Sequence, residues 1–191
     1  MNRWAPGAAG RLHAAALDLF VEQGFAATTV TQIAERAGLT TRSFFRYFAD
    51  KREVLFAGED ELPAVVARVV DEADASLPPM AVIDAGLRTV VFPVIEDVRE
   101  ELLRRRSIVR SDDGLQEREL RKLAVLHAAA TAAFIRRGLD PLDADVAGRL
   151  AVAAFDATLE RWLADGAAPA LGDHLTQVLE SLARQAAAVR G

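Results

Sequence analysis

AGLTTRSFFRYF, residues 37–48, sets four aromatic side chains within five positions (Phe44, Phe45, Tyr47 and Phe48), among two arginines and three hydroxyl residues. A buried helix disfavours that polarity, and an ordinary solvated helix has no use for those rings. At 100° per residue, Phe48 falls about 40° from Phe44, so these two share a side and are expected to plug a core against Ile33, Ala34 and a preceding helix. On the same scale Thr41, Phe45 and Arg42 fall at about 60°, 100° and 160°. A hydroxyl, a ring and a guanidinium along one stripe suit thymine methyls, guanine edges and phosphates. The competing reading makes all four rings core.

The flanks turn this stretch into a unit. Upstream, Leu12, Ala16, Leu19 and Phe20 share a face of a helix over about 8–23 that ends at Gly24. Thr29 with Gln32 three residues on forms a capping box for a short helix running to Ala37. Gly38 permits a tight turn, Thr40 caps a third helix, and Asp50 with Glu53 forms another box at the head of a fourth. Two short helices joined through Ala37-Gly38-Leu39 behind a longer one have the layout of a helix-turn-helix, whose second helix lies in a DNA major groove. Tyr47 and Lys51 then stand where a phenol and an ammonium reach the DNA backbone.

Composition bounds the rest. The chain of 191 residues has no cysteine and three scattered histidines, which argues against a disulfide scaffold, a thiolate zinc site or a histidine cluster, and no cofactor or metal is expected. No apolar run reaches the roughly 18 residues of a membrane span, and MNRWAPGAAGR lacks a signal-peptide core, so a cytoplasmic protein without membrane association is expected. Net charge is −5, unevenly spread: residues 1–57 carry seven Arg or Lys against five acids (+2), and the remainder 16 against 23 (−7). A slightly basic N-terminal part on an acidic body is compatible with DNA contact at one end.

The segment TTVTQIAERAGLTTRSFFRYFADKREVL, residues 28–55, with Phe20 and Gly24-Phe25 upstream, resembles the DNA-binding region of the tetracycline-repressor (TetR) family of bacterial regulators. The resemblance covers about a quarter of the chain. Family members often carry Tyr at position 45 and His at 47, where this sequence has Phe45 and Tyr47. By that resemblance Thr29, Thr31, Thr40, Thr41, Arg42, Phe45, Tyr47 and Lys51 are candidate DNA contacts, and Arg46 is a candidate extra phosphate contact. Among them Arg42 is expected to read a base, because a guanidinium bonds guanine at two atoms.

Beyond Phe56, breaks at Pro78-Pro79, Ser111–Gly114, Gly138–Pro141 and Gly166–Pro169 divide the chain into helices near 51–76, 80–96, 98–110, 114–137, 143–165 and 171–189, with kinks expected at Pro63 and Pro93. The expectation is an all-α, nine-helix, two-domain chain: a three-helix DNA-binding head at 1–50 and a helical regulatory domain at 51–191. Val152, Phe155, Leu159 and Trp162, then Leu171, Leu175, Val178 and Leu182, form narrow apolar seams suited to a bundle. The resemblance implies that they pair with a second copy in a homodimer reading a palindromic operator of double-stranded DNA. Val91, Ile95, Leu102, His127, Thr131, Phe134 and Phe155 are candidates to line a ligand cavity for a small, mostly hydrophobic effector of unknown identity. The function expected is thus a sequence-specific transcriptional regulator, a repressor released by such a ligand. A helical scaffold with a vestigial DNA-binding head is the alternative. An enzyme ranks below it, since the sequence has no Gly-x-Ser-x-Gly elbow, phosphate loop, His-Glu-x-x-His or dinucleotide fingerprint.

Overall fold

The computed structural model describes residues 7–167 and 170–188, whose regular structure is entirely helical. Helix α1 (Ala8–Gln23) buries Leu12, Ala15, Ala16, Leu19 and Phe20 and stops at Gly24, whose φ of 84° and ψ of 156° lie in a region open essentially to glycine alone. Helix α2 (Val30–Arg36) starts on Thr29. Its hydroxyl accepts from the Gln32 backbone while the Gln32 side chain accepts from the Thr29 backbone, the reciprocal box expected from the spacing.

Helix α2 ends in a Schellman turn. Leu39 N–H donates to Ala34 O at 2.8 Å, Gly38 N–H donates to Glu35 O at 3.0 Å, and Gly38 takes φ 66°. Helix α3 (Thr41–Tyr47) starts on Thr40, which accepts from Ser43 N–H. Helix α4 (Lys51–Leu55) starts on Asp50, which accepts from the Arg52 and Glu53 N–H groups. The expected second box is half-formed, because the Glu53 carboxylate instead accepts from Arg118 at 3.2 and 3.3 Å.

The run expected over 51–76 divides after Phe56, continuing as a 3-10 turn (Glu59–Glu61) and α5 (Leu62–Glu72). Pro63 is the second residue of α5, where a missing N–H breaks no helical bond. The next segment comprises α6 (Pro79–Gly86), a five-residue π turn (Leu87–Val91) and α7 (Phe92–Glu96). Helices α8 (Arg99–Arg110), α9 (Asp113–Arg136), α10 (Pro141–Ala164) and α11 (Leu171–Ala188) complete the chain. Counting 51–72 and 79–96 as single interrupted segments, the described residues give nine helical segments. Val189, and Pro169 of the last expected break, lie outside the described residues. None of the helices described is long and apolar enough to cross a membrane.

The chain forms two compact units, the first of residues 7–61 with 100–120 and the second of 62–99 with 121–188. In the first, α1 to α4 share one apolar cluster with Ile108 and Val109 of α8 and Leu115 of α9. The buried Phe56 ring is approached by two guanidiniums, 4.9 Å from Arg105 and 4.7 Å from Arg118. Arg105 also donates to Leu55 O and Glu119 and pairs with Glu59, so the ring and both cations are fixed from several sides. His13 is buried, with Nδ1 2.8 Å from Val54 O and Nε2 3.0 Å from Glu101. In the second unit α10 packs on α11, burying Trp162, Leu171 and Leu175. Gly148 lets α10 approach α9: a Cβ there would lie 2.5 Å from Thr131 Oγ1 and 3.1 Å from Thr131 N.

Candidate nucleic-acid interface

Phe44, Phe48 and Phe45 lie as their helical angles placed them, and Tyr47 at the end of α3 is exposed with Phe45. Phe44 is 0% exposed and Phe48 9%, while Phe45 is 59% and Tyr47 42% exposed. Phe44 meets Phe48 at 5.6 Å and Phe45 edge-on at 5.5 Å, so the inner rings anchor the helix and steady the outer one. With the inner rings fixed, the outer face of α3 presents Thr41, Arg42, Phe45, Arg46 and Tyr47, all exposed.

Charge on that face is uncommitted where it matters. Arg36 is tied to Glu22 by two bonds of 2.9 and 2.8 Å, and that side-chain bond holds the Glu22 carboxyl below its usual range. Arg52 is tied to Asp50. Arg42, by contrast, makes no hydrogen bond or ion pair with the described residues. Arg46 donates to the Tyr47 hydroxyl at 2.9 Å with its guanidinium 4.8 Å from the ring centroid. The phenol oxygen thereby accepts internally, and its own proton stays available to an outside acceptor such as phosphate.

The threonines differ in what they have left to give. Thr31 and Thr41 are exposed and their hydroxyls make no bond to the described residues. Thr40 is engaged as a cap and lies 3.1 Å from Ser43 Oγ. Thr29 accepts from Gln32 N at 3.3 Å and donates to Gln32 Oε1 at 3.0 Å, so its proton is spent inside the box.

Lys51 has an occupation that sequence alone did not suggest. Its Nζ donates to Phe25 O at 2.7 Å, Thr28 O at 2.9 Å and Ala26 O at 3.2 Å, and sits 4.4 Å from the Phe25 ring centroid. An ammonium has three N–H groups, and three carbonyls of the α1–α2 connector take them. The connector is further braced by Thr28, whose buried hydroxyl donates to Gly24 O at 2.8 Å, and by Gln23, which donates to Thr28 Oγ1 and Gln32 Oε1. A glutamine ending one helix and another in the next helix's box were the available signals for that bracing.

The residues expected at a ligand cavity are only partly brought together. Leu102 belongs to the first unit and the other six to the second. His127 and Thr131 flank Gly148, yet His127 Nε2 already donates to Asp145 at 2.9 Å, and Phe134 is wholly buried. Val91, Ile95 and Phe155 are half-buried. An open cleft of about 170 Å³ is lined by other residues, Arg88, Phe92, Pro93, Glu96 and Gly172. Of the residues expected at a dimer interface, Trp162, Leu171, Leu175 and Val178 are covered within the chain itself, while Val152, Phe155, Leu159 and Leu182 stay half-buried.

The family model described as "Bacterial regulatory proteins, tetR family" matches residues 12–57. The HTH-type transcriptional regulator TcmR of Streptomyces glaucescens is 32% identical over 148 residues, covering 74% of this chain and 65% of that protein, slightly under two thirds of its length. The HTH-type transcriptional regulator TtgR of Pseudomonas putida is 33% identical over 159 residues, covering 75% of this chain and 74% of TtgR. Among solved structures, that of the SmeT–triclosan complex superposes with a TM-score of 0.65 at 22% identity, covering 91% of this chain and 90% of the other.

Proposed function

Since the chain belongs to the tetR family of bacterial regulatory proteins, we propose that it is a sequence-specific DNA-binding transcriptional regulator acting as a repressor in the cytoplasm. The observation that carries this is the outer face of α3, where Arg42, without a partner among the described residues, stands beside exposed Thr41, Phe45 and Tyr47 on a helix pinned from within by Phe44 and Phe48. Arg42 reads a guanine edge in the major groove and Thr41 and Phe45 meet neighbouring bases, while Tyr47 donates to a phosphate with Arg46 steadying its ring. Thr31 adds a hydroxyl from α2. Thr29 and Thr40 serve as caps first, and Lys51 acts by holding the α1–α2 connector in place.

Two copies acting together through α10 and α11 would present two heads to a palindromic operator. The half-buried Val152, Phe155, Leu159 and Leu182 supply the apolar area for that pairing, since the rest of both seams is used within the chain. The effector is a small, mostly hydrophobic molecule. One solved structure of this fold is that of a SmeT–triclosan complex, and apolar side chains such as Val91, Ile95 and Phe155 suit a ligand of that polarity. Release requires the ligand to favour the non-binding conformation, because equal affinity for both states leaves the DNA bound.

Selection from a random duplex pool at two salt concentrations tests the reading. One palindromic motif that survives the higher salt is expected. Weak, sequence-blind retention erased by salt would favour instead a helical scaffold with a vestigial head.

A further inference from the structure

Gln32 sits in the box at the start of α2 with its amide oxygen fully engaged. It accepts from Thr29 N at 2.9 Å, Thr29 Oγ1 at 3.0 Å and Gln23 Nε2 at 3.1 Å. A backbone N–H can only donate, so the atom facing Thr29 N is the oxygen, and the amide nitrogen points away from the box. That nitrogen carries two N–H groups with no partner among the described residues, on an exposed side chain. The cap itself needs only the oxygen; a glutamate would serve it as well. The outward amide is therefore surplus to the fold.

Its neighbours narrow the acceptor. Thr31 beside it is exposed, and the exposed stripe of α3 follows the turn. Thr29 cannot supply a proton while the box is closed, and phosphate oxygens at neutral pH only accept. We propose that the Gln32 amide nitrogen donates to a DNA phosphate oxygen, with Gln23 and Thr29 as positioning residues that hold it outward. The proposal rests on α2 and α3 being a DNA-binding unit. Because a neutral amide displaces no counterion, this contact adds affinity with little change in salt slope.

The test uses the full-length protein and the motif recovered by selection, with single phosphates replaced in turn by uncharged methylphosphonates. Gln32→Glu keeps the acceptor of the box, so its melting temperature should match wild type. It loses both donors and sets a carboxylate toward the phosphate, weakening binding by about 10- to 100-fold. At one phosphate per half-site the methylphosphonate should weaken wild type yet strengthen Gln32→Glu, and Gln32→Ala should be indifferent there. If the charge of Gln32→Glu is relieved only gradually over many phosphates, with no position of reversed sign, or if sensitivity appears at a base, Gln32 is not the phosphate donor. Wild-type protein that selects no DNA motif would overturn this proposal together with the DNA-binding reading, whereas tight operator binding without the sign reversal overturns Gln32 alone.

Discussion

Replacing Lys51 by methionine separates a structural pin from a phosphate contact. Methionine keeps an apolar stem against the Phe25 ring and removes the ammonium that three connector carbonyls share at 2.7, 2.9 and 3.2 Å. A hydrogen bond from a charged donor contributes about 1.5–3 kcal/mol. The three do not add, because the bond to Ala26 is exposed and Lys51 is half-buried, so water replaces part of what is lost. A net loss of ~2–3 kcal/mol follows, or roughly 4–12 °C in melting temperature for a chain of this size. Operator affinity should fall alike on all sequences, since the connector leads into Thr28 and Thr29 rather than to a base. Calorimetry gives the first quantity, and titrations at several salt concentrations give the second. A true phosphate contact would cost about 0.9 in the slope of log K against log salt, whereas a pin leaves that slope unchanged. A variant that melts with wild type and loses about one unit of slope would put the ammonium on the DNA and end the argument from the carbonyls.

Three further perturbations probe other parts. Arg42→Ala should relax base preference at one position per half-site, a discrimination of about 1–3 kcal/mol, and selection with the variant should return a motif degenerate there. Gly148→Ala should destabilise the chain by about 1–3 kcal/mol in urea titrations although alanine is the better helix former, because its methyl meets Thr131 Oγ1 and the Thr131 backbone. For Asp50, burial pushes the carboxyl pKa up, but the Arg52 side chain and the Glu53 and Arg52 N–H groups outweigh it and leave it below the usual 3.8. The folded value being the lower one, its stabilisation is present above the unfolded value and is lost as pH falls through the folded one. Asp50→Ala should therefore trail wild type by ~1 kcal/mol at pH 7, with the gap narrowing in urea titrations carried to pH values below the usual carboxylate range.

Much of the first unit was legible because its signals are local. Glycines that take positive φ, threonines three residues before a box partner, and a ring pair four residues apart act within a turn or two of chain. The partner of Lys51 lies 23 to 26 residues away, and only the packed connector shows that its carbonyls converge. The same holds for Arg105 and Arg118, whose shared ring, Phe56, comes from a segment far back in the chain. Periodicity reported that the α10 and α11 seams are apolar but not what covers them, and Trp162, Leu171 and Leu175 are covered by their own chain. The pairing of His127 with Asp145 is likewise hidden from local sequence, because Asp145 belongs to another helix.

The π turn at Leu87–Val91 works as a phase shift in the helical code. A regular helix that buries Val82, Ile83 and Gly86 would next turn Val90 and Val94 inward, yet these are 36% and 48% exposed while Phe92 is buried and Val91 and Ile95 are half-buried. One extra residue in the turn sets every later side chain back by about 100° and carries Pro93, which has no N–H to give, to the outside. Residue spacing measured across that point misassigns faces, and a lineage that gained or lost one residue there would exchange one apolar surface of the helix for another without altering any side chain.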